Sequence, residues 1–413
     1  MKATEIGLGL LGYGTVGKGI HDLLAANGKE IEQRRGVRLT IRKIAVRELS
    51  NHLEVEQSLL STNPLAVVND PSCQLVAEVM GGEEPALQCI SAAIASKRPT
   101  ATANKLVVAK HWPTLIELAR QNNVGFRYES AVCAGIPILS SIKVGLAGNH
   151  IESITGIVNG TTNFILTRMR EANLEFEEAL SEAKDLGYAE ADPSSDVDGW
   201  DAAYKLSILA SVSTNRWLDP DLIKRQSIRG ISRSTIQAAS ALGCQVKLAA
   251  RFSNAREATL AKVEPVFAMP SHALFAVDGT ENIVQISASP VGRLQFRGSG
   301  AGAGTTASGV VSDLIQLAIE LKDGRPCIPN PVIGEIQPSR KSEAESSFAV
   351  ITSDESGSNR TAIERLLRPI QIVNSHTFVG GAVFVTECCS QEIFLERIAA
   401  ASEDISEFYE VLK

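Results

Sequence analysis

The amino-acid sequence predicts an α/β protein: a doubly wound parallel sheet at the N-terminus, an α+β portion after it, and a small C-terminal βαββα unit. Three observations carry this expectation. Strand-like and helix-like runs alternate through the first 135 residues, as in a parallel sheet with crossover helices. A glycine-rich turn, GYGTVG, separates the first strand from the first helix. From about Ile151 shorter alternating runs replace that regular order.

The elements follow in order. IGLGLL is a short apolar run, and TVGKGIHDLLAANGKEIEQ has helical periodicity. RLTIRKIAV reads as a strand, and VAEVMGG as a strand ending in glycines. Helix PALQCISAAIAS, strand PTATAN, helix LVVAKHWPTLIELARQN and strand VGFRYES come next, and Pro113 kinks or restarts its helix. IESITGIVNG is a strand, followed by helices near 162–171 and 175–186, an acidic loop, and a helix from Trp200 to about Ala210. QVKLAARFS and NIVQISAS are strands of a mixed sheet with helices on one face. The glycine-rich loop GSGAGAGTTASG precedes helix VVSDLIQLAIEL, and residues 323–345 are a Pro-, Gly- and charge-rich linker. Residues 346–413 run FAVITS (strand), RTAIERLLRP (helix), IQIVNSHTF and GAVFVTEC (strands) and QEIFLERIAA (helix), without a final strand.

Composition bounds the function. A chain of 413 residues with 44% hydrophobic and 21% charged residues has room for two or three domains with real cores. A net charge of −7 argues against nucleic acid or an anionic membrane as partner. No apolar run approaches the ~20 residues of a membrane span, and the N-terminus enters a strand directly, leaving no room for a signal peptide. Seven scattered cysteines, an odd number, argue against a disulfide framework. The adjacent Cys388 and Cys389 lack zinc-ligand spacing. A cytoplasmic, reducing compartment is expected.

The first motif reads Gly12-Tyr13-Gly14-Thr15-Val16-Gly17. In the strand–turn–helix context of a Rossmann-type domain, Gly12 permits the turn, Gly14 lets backbone approach a pyrophosphate, and Gly17 permits close packing of helix on strand. The helix N-terminus then offers amides to phosphate. A glycine turn with no ligand is the bland alternative. The next strand ends at Arg47, with Glu48 behind it. A guanidinium suits a 2′-phosphate and offers no acceptor to a ribose hydroxyl, which favours NADP over NAD; a solvated arginine is the alternative. Asn104 and Lys105 follow another parallel strand, where ligands bind such sheets. A surface lysine at a helix start would look the same.

The stretch AEADPSSDVDGWDAAYKL, residues 189–206, gathers Glu190, Asp192, Asp196, Asp198 and Asp201 and ends its charges on Lys205. Asp201 and Lys205 lie four apart and share a helix face. Asp192-Pro193 reads as a turn, and Asp198 or Ser195 as a helix cap. Solvated loop acids with an exposed ion pair are one reading. A lysine that holds and delivers a proton in a cleft, with carboxylates for a substrate's ammonium, is the other.

At these residues the sequence resembles the homoserine dehydrogenase family. Its signature around the catalytic lysine is matched by Ala183, Gly187, Tyr188, Ala189, Asp192-Pro193, Asp196-Val197, Gly199, Asp201 and Lys205. GYGTVG, IAVR, TANK, ESAVCAGIPI and GIVNGTTNFIL extend the resemblance over roughly three quarters of the chain. It implies reversible NAD(P)H-dependent reduction of L-aspartate 4-semialdehyde to L-homoserine, in the biosynthesis of threonine, methionine and isoleucine. It implies that Lys205 is the acid–base residue, that Lys105 stands near nicotinamide and substrate, and that Glu190 and Asp201, with Tyr188, bind the substrate. Gly187 and Gly302 fall at cofactor positions; Thr305 stands where the family often has proline. Glu129, Val132, Ala134 and Ile136 match a site for a monovalent cation, sodium or potassium, built mainly from carbonyl oxygens; a satisfied buried acid is the alternative for Glu129. Cys133 would be the nucleophile of a semialdehyde dehydrogenase in a different chemistry, but it lies inside the cation segment and reads as a packing residue.

The resemblance divides the chain into an NAD(P)-binding domain (1–135), a substrate-binding and dimerisation domain (136–322), the linker (323–345), and an ACT-like regulatory or dimerisation domain (346–413). The last keeps Gly357 at its first strand–helix junction but lacks the usual proline. A homodimer or homotetramer, with threonine as effector, is expected. A related oxidoreductase acting on another short aldehyde or hydroxy acid, and a cofactor-binding sensor, are the competing readings.

Overall fold

A computed structural model of the chain describes residues 3–254, 259–339, 345–353, 360–379, 381–400, 405 and 407–413. β1 (Thr4–Leu11) leads through the glycine turn into α1 (Thr15–Arg35) and β2 (Val37–Ala45). β3 (Leu60–Ser61), α2 (Pro64–Asn69), β4 (Leu75–Glu78), α3 (Ala86–Ala95), β5 (Thr100–Thr102), α4 (Lys105–Asn122), β6 (Phe126–Arg127) and α5 (Ile138–Ser140) follow. The six strands form a parallel sheet in the order β3-β2-β1-β4-β5-β6. Its order reverses at β1, and ligands of such sheets bind beyond the carboxyl ends at that switch point. Leu8, Leu10 and Leu11 of β1 are fully buried, as expected of a central strand covered on both faces. α4 loses helical geometry at His111, two residues before Pro113, which is the expected proline kink.

The second sheet begins with β7 (His150–Ile157). α6 (Gly160–Ala172), α7 (Phe176–Asp185), α8 (Ser194–Val197), α9 (Trp200–Thr214), β8 (Lys224–Arg225), α10 (Arg233–Ala241), β9 (Gln245–Asn254), β10 (Thr259–Ala268), β11 (Glu281–Ser289), β12 (Gly292–Ser299) and α11 (Ala303–Asp323) continue the chain. The C-terminal unit adds β13 (Glu345–Thr352), α12 (Arg360–Leu367), β14 (Ile372–Phe378), β15 (Gly381–Thr386), β16 (Cys389–Ser390), α13 (Gln391–Ala400) and β17 (Glu407–Leu412). The mixed sheet runs β12-β11-β7-β9-β10-β17-β13-β15-β14, with β8 on β10 and β16 on β13.

β17 corrects the expectation that the C-terminal unit lacks a final strand. It pairs antiparallel with β13 and parallel with β10, so the last strand makes one sheet of two. EFYEVL hides this locally, because its two glutamates read as a polar tail. Glu410 is buried instead: it bonds Lys262 at 2.5 Å, Arg251 at 2.7 Å and the Ser346 hydroxyl at 2.7 Å. The unit's own core packs Phe348 flat on Phe394, centroids 4.0 Å apart, among Val350, Ile363, Leu367 and Phe384. Gly357 lies outside the described residues.

By its contacts the chain forms two compact units: Met1–Gly148 with Ser207–Pro220 and Gly298–Ile336, and Asn149–Leu206 with Asp221–Arg297 and Gln337–Lys413. The cut does not follow the boundaries read along the sequence, at 135 and 322. All but the last residue of α11 falls in the 136–322 segment, yet its Ala307, Val310, Leu314 and Leu317 share a core with Ile6, Leu8, Leu10 and Ile20 of the first unit. Among the described residues no helix is long and apolar enough to cross a membrane, and none of the seven cysteines is in a disulfide.

Candidate active site

In the first unit, β1 delivers the chain into the glycine turn. Gly12 has φ +101°, and a Cβ there would stand 2.8 Å from the Val79 carbonyl oxygen. At Gly17 a Cβ would stand 2.2 Å from the Gly12 carbonyl oxygen, so helix and strand meet only without a side chain. Gly14 differs: a Cβ would meet nothing within 4 Å. Gly14 and Thr15 are exposed, no side chain caps α1, and its first turn carries no acid. An open, uncapped helix N-terminus with unopposed amides is a cradle that fits a pyrophosphate. Val16 is half-buried. The Tyr13 side chain turns inward instead, its hydroxyl on His21 Nδ1 and its ring edge-on to His52. Burial, with Glu54 and Asp22 nearby, pushes its pKa up. Tyr13 therefore offers a ligand its backbone rather than its ring.

Arg47 stands two residues beyond β2, whose last residue Ala45 pairs with Leu11. It is exposed and makes no ion pair among the described residues. Gly302, with φ +121°, precedes α11 with no side-chain cap. A Cβ on Gly19 of α1 would stand 2.9 Å from the Ala303 carbonyl oxygen, so α11 starts directly against α1. Thr305, in place of proline, ties this loop by hydrogen bonds to the carbonyls of Ala301 (2.8 Å) and Gly302 (3.0 Å). Lys105, half-buried, is the first residue of α4, whose N-cap is Asn104.

Glu78, which carried no role in the sequence reading, is fully buried at the end of β4. It accepts from Met80 N at 2.7 Å and from Thr102 Oγ1 at 2.6 Å. Burial pushes its pKa up, and the hydrogen bonds from Thr102 and Met80 offset part of that.

Glu129, Val132, Ala134 and Ile136 are all buried. Glu129 spends its carboxylate on the amides of Leu139 (2.7 Å) and Ser140 (2.8 Å). Its own amide donates to Asp313 at 2.8 Å, and burial pushes Asp313 up to about 7. Cys133 and Ala134 both take left-handed backbone conformations, φ +52° and +47°, which cost L-residues about 1–2 kcal/mol each. Two buried carboxyls beside a strained run of backbone fit the setting of a hard cation held by carbonyl oxygens. Among the described residues no cluster of His, Cys, Asp and Glu has the makings of a metal site by side chains. Cys133 is fully buried, which leaves it no access as a nucleophile.

In the second unit the acidic run converges on Lys205. Gly199, at φ +79°, turns the chain into α9, placing Asp201 and Lys205 one turn apart. Both are buried, at 1% and 8% exposure. Lys205 Nζ bonds Asp201 Oδ2 at 2.8 Å and the Val158 carbonyl at 2.7 Å. Among the described residues it has no further partner. An ammonium has three N–H donors, so one remains for a substrate oxygen. Asn159 caps α6 by accepting from Thr162 N at 2.8 Å. It donates one amide hydrogen to Asp196 Oδ1 at 2.7 Å and one to Asp201 Oδ2 at 2.8 Å. Sequence reasoning gave Asn159 and Asp196 no role; the NG step before a helical run was the available signal for the cap.

Glu190 is exposed and makes no hydrogen bond or ion pair among the described residues. The structure brings Asp201 to Lys205 and leaves Glu190 out on its loop. Tyr188 is 46% exposed, its ring tilted on Phe164 at 4.8 Å and its carbonyl held by the Thr161 hydroxyl at 2.8 Å. Gly187 has φ +74° just past α7. Asp192 accepts from Ser194 N at 3.0 Å, the expected turn. Asp198 is not the expected cap of α9: its carboxylate goes to Arg229 at 2.8 Å and the Ser227 hydroxyl at 2.9 Å.

The chain matches two family models: "Homoserine dehydrogenase, NAD binding domain" over residues 12–129, and "Homoserine dehydrogenase" over residues 137–315. It is similar to homoserine dehydrogenases of Synechocystis (42% identity over 75% of this chain and 72% of that one) and Corynebacterium glutamicum (39%, over 76% and 72%). Over the full length of both chains it superposes on a homoserine dehydrogenase from Thiobacillus denitrificans with a TM-score of 0.91 at 31% identity. A hyperthermophilic archaeal homoserine dehydrogenase in complex with NADPH matches 79% of this chain and all of its own, with a TM-score of 0.67 at 28% identity.

Proposed function

This chain belongs to the homoserine dehydrogenase family and is an NAD(P)-binding oxidoreductase that interconverts aspartate 4-semialdehyde and homoserine, and we propose the following roles for its residues. Lys205 moves the proton. In the reducing direction its ammonium polarises the aldehyde oxygen and donates to it; in the oxidising direction the neutral amine takes the hydroxyl proton. The observation that carries this is the bonding of Lys205: two N–H groups held by Asp201 and Val158, one left over. Asp201 orients the lysine and adds negative charge for the substrate's ammonium, and Glu190 and Tyr188 complete that binding from the adjoining loop. Lys105 faces the reacting end of substrate and cofactor.

Bound NAD(P)H supplies the hydride. Gly12, Tyr13, Gly14, Thr15, Val16 and Gly17 hold its pyrophosphate through backbone amides, with Gly187 and Gly302 as glycine approaches to the cofactor. Arg47 favours NADP: it is an exposed guanidinium just beyond β2, without an ion-pair partner among the described residues. The NADPH complex of the archaeal relative supports this reading. Backbone carbonyls around Val132, Ala134 and Ile136, with Glu129, bind a monovalent cation that steadies the segment leaving the first domain. The functional division of the chain is into cofactor, substrate and ACT-like regulatory domains. The protein works as a homodimer or homotetramer. Threonine acts as effector at the C-terminal unit, where a cleft lined by Ser227, Pro265, Ile405, Glu407 and Tyr409 supports the idea.

The test follows the absorbance of the reduced cofactor with L-homoserine and NADP, then NAD, with and without potassium and threonine. An absence of turnover overturns the assignment. Equal use of NAD and NADP overturns the role of Arg47, and indifference to potassium or threonine removes the cation or the effector.

A further inference from the structure

Glu78 is a buried carboxyl with a donor on each oxygen and no part in the chemistry above. It ends β4, in register with Leu11 of β1 and Thr102 of β5, at the carboxyl edge of the sheet beside the switch point. The four residues after it form a turn whose Gly81 and Gly82 are exposed and left-handed, φ +77° and +74°. That turn is laced to its surroundings. Val79 N donates to the Leu11 carbonyl at 2.8 Å, and Met80 N to Glu78 Oε1 at 2.7 Å. Asn104 Nδ2 holds the Gly82 carbonyl at 2.7 Å, while Asn104 Oδ1 caps α4 at Val107 N, 3.2 Å. Thr102 Oγ1 donates to Glu78 at 2.6 Å and accepts from Asn104 N at 2.9 Å. One carboxyl therefore ties the exposed glycine turn to the residue that starts the helix of Lys105.

The choice of side chain is informative. A buried carboxyl is costly unless its oxygens are well bonded. Here both oxygens accept at once, Oε1 from Met80 N and Oε2 from Thr102 Oγ1, which needs two oxygens that only accept; a carboxylate has them and an amide lacks them. Gly81 has open space around it, since a Cβ there would meet nothing within 4 Å. Glycines with room around them at the carboxyl edge of such a sheet leave backbone accessible to a ligand.

We propose that Glu78 is a positioning residue, holding the Met80–Gly82 turn against the cofactor and, through Thr102 and Asn104, holding Lys105 in place. This rests on the roles given above to the glycine turn and to Lys105. A role in the fold alone predicts a different result from a positioning role.

The experiment compares Glu78→Gln, Thr102→Val, Thr102→Ser and the Gln/Val double variant in the full chain. Dissociation of NADPH is read by its fluorescence, kinetic constants by absorbance and folding by melting. Positioning predicts that Glu78→Gln weakens NADPH binding roughly tenfold and lowers kcat. Thr102→Val should do the same in part, Thr102→Ser should restore the parental values, and the double variant should be less than additive because the two share one bond. A lowered melting temperature with parental binding and kcat overturns the proposal. So does full additivity, and so do parental values throughout. If Glu78→Gln does not fold, Thr102→Val against Thr102→Ser carries the same test. Lys105→Ala serves as control: if it keeps parental kcat, the role of Lys105 falls, while weakened NADPH binding in Glu78→Gln still upholds the hold on the turn.

Discussion

Lys205 Nζ and Asp201 Oδ2 stand 2.8 Å apart across one turn of α9, with both side chains buried. A pair so placed keeps the lysine oriented with one N–H free for chemistry. It also commits the fold to both charges, because removing one member of a buried pair leaves the other uncompensated. Lys205→Ala is expected to lower turnover about 10²–10⁴-fold and to cost about 3–5 kcal/mol of stability. Absorbance assays and denaturant melts read the two effects. Turnover near the parental rate would remove Lys205 from the chemistry.

The glycines of the nucleotide turn separate into packing and binding roles. Gly17→Ala sets a methyl 2.2 Å from the Gly12 carbonyl oxygen and is expected to destabilise by about 1–3 kcal/mol or more, as overpacking does. Gly14→Ala sets a methyl with nothing within 4 Å among the described residues and should melt like the parent while binding NADPH less tightly. Melting curves and fluorescence titrations of the two variants, side by side, check this. A Gly14→Ala protein that binds NADPH as the parent does would contradict the role of that turn.

Arg47, beyond β2, is exposed and has no ion-pair partner among the described residues. A hydrogen bond to a charged group contributes about 1.5–3 kcal/mol. Arg47→Asp is therefore expected to cut kcat/KM for NADP about 10–100-fold and to leave that for NAD equal or higher. An unchanged ratio of the two would show that the preference is set elsewhere.

The C-terminal strand carries an acid limb of stability. Burial pushes the Glu410 carboxyl up, but the Arg251 and Lys262 cations outweigh it and hold it down at about 2, against an ordinary 4.5. A carboxylate depressed on folding stabilises fully above 4.5, and that contribution is lost as pH falls from there through 2. It is worth on the order of 3 kcal/mol. Glu264 beside it is pushed up, chiefly by burial. Its contribution has the opposite sign, weakening the fold as pH rises above 4.5. Melting temperatures between pH 7 and pH 3 should fall steeply below 4.5 in the parent and less steeply in Glu410→Gln, which starts lower at neutral pH. Parallel curves would show that Glu410 does not set the limb.

What the sequence determined by itself is local. The strand–glycine–helix order of residues 4–35, the alternation through β6, the kink before Pro113 and the Asp201–Lys205 face of α9 rest on periodicity and turn chemistry among near neighbours. Those read correctly from residue types alone. The tertiary structure decided what distant residues do together. α11 returns to the first unit because its apolar face completes a core begun some 300 residues earlier. β17 is a strand because Lys262 and Arg251 neutralise a glutamate that would otherwise keep it in water. Asn159 meets Asp196 and Asp201 across 37 and 42 residues, and Glu78 meets Thr102 across 24. No local pattern encodes these meetings. Burial is a property of the whole packed chain, and a polar side chain shows its role only once the partners that make its burial tolerable are in place.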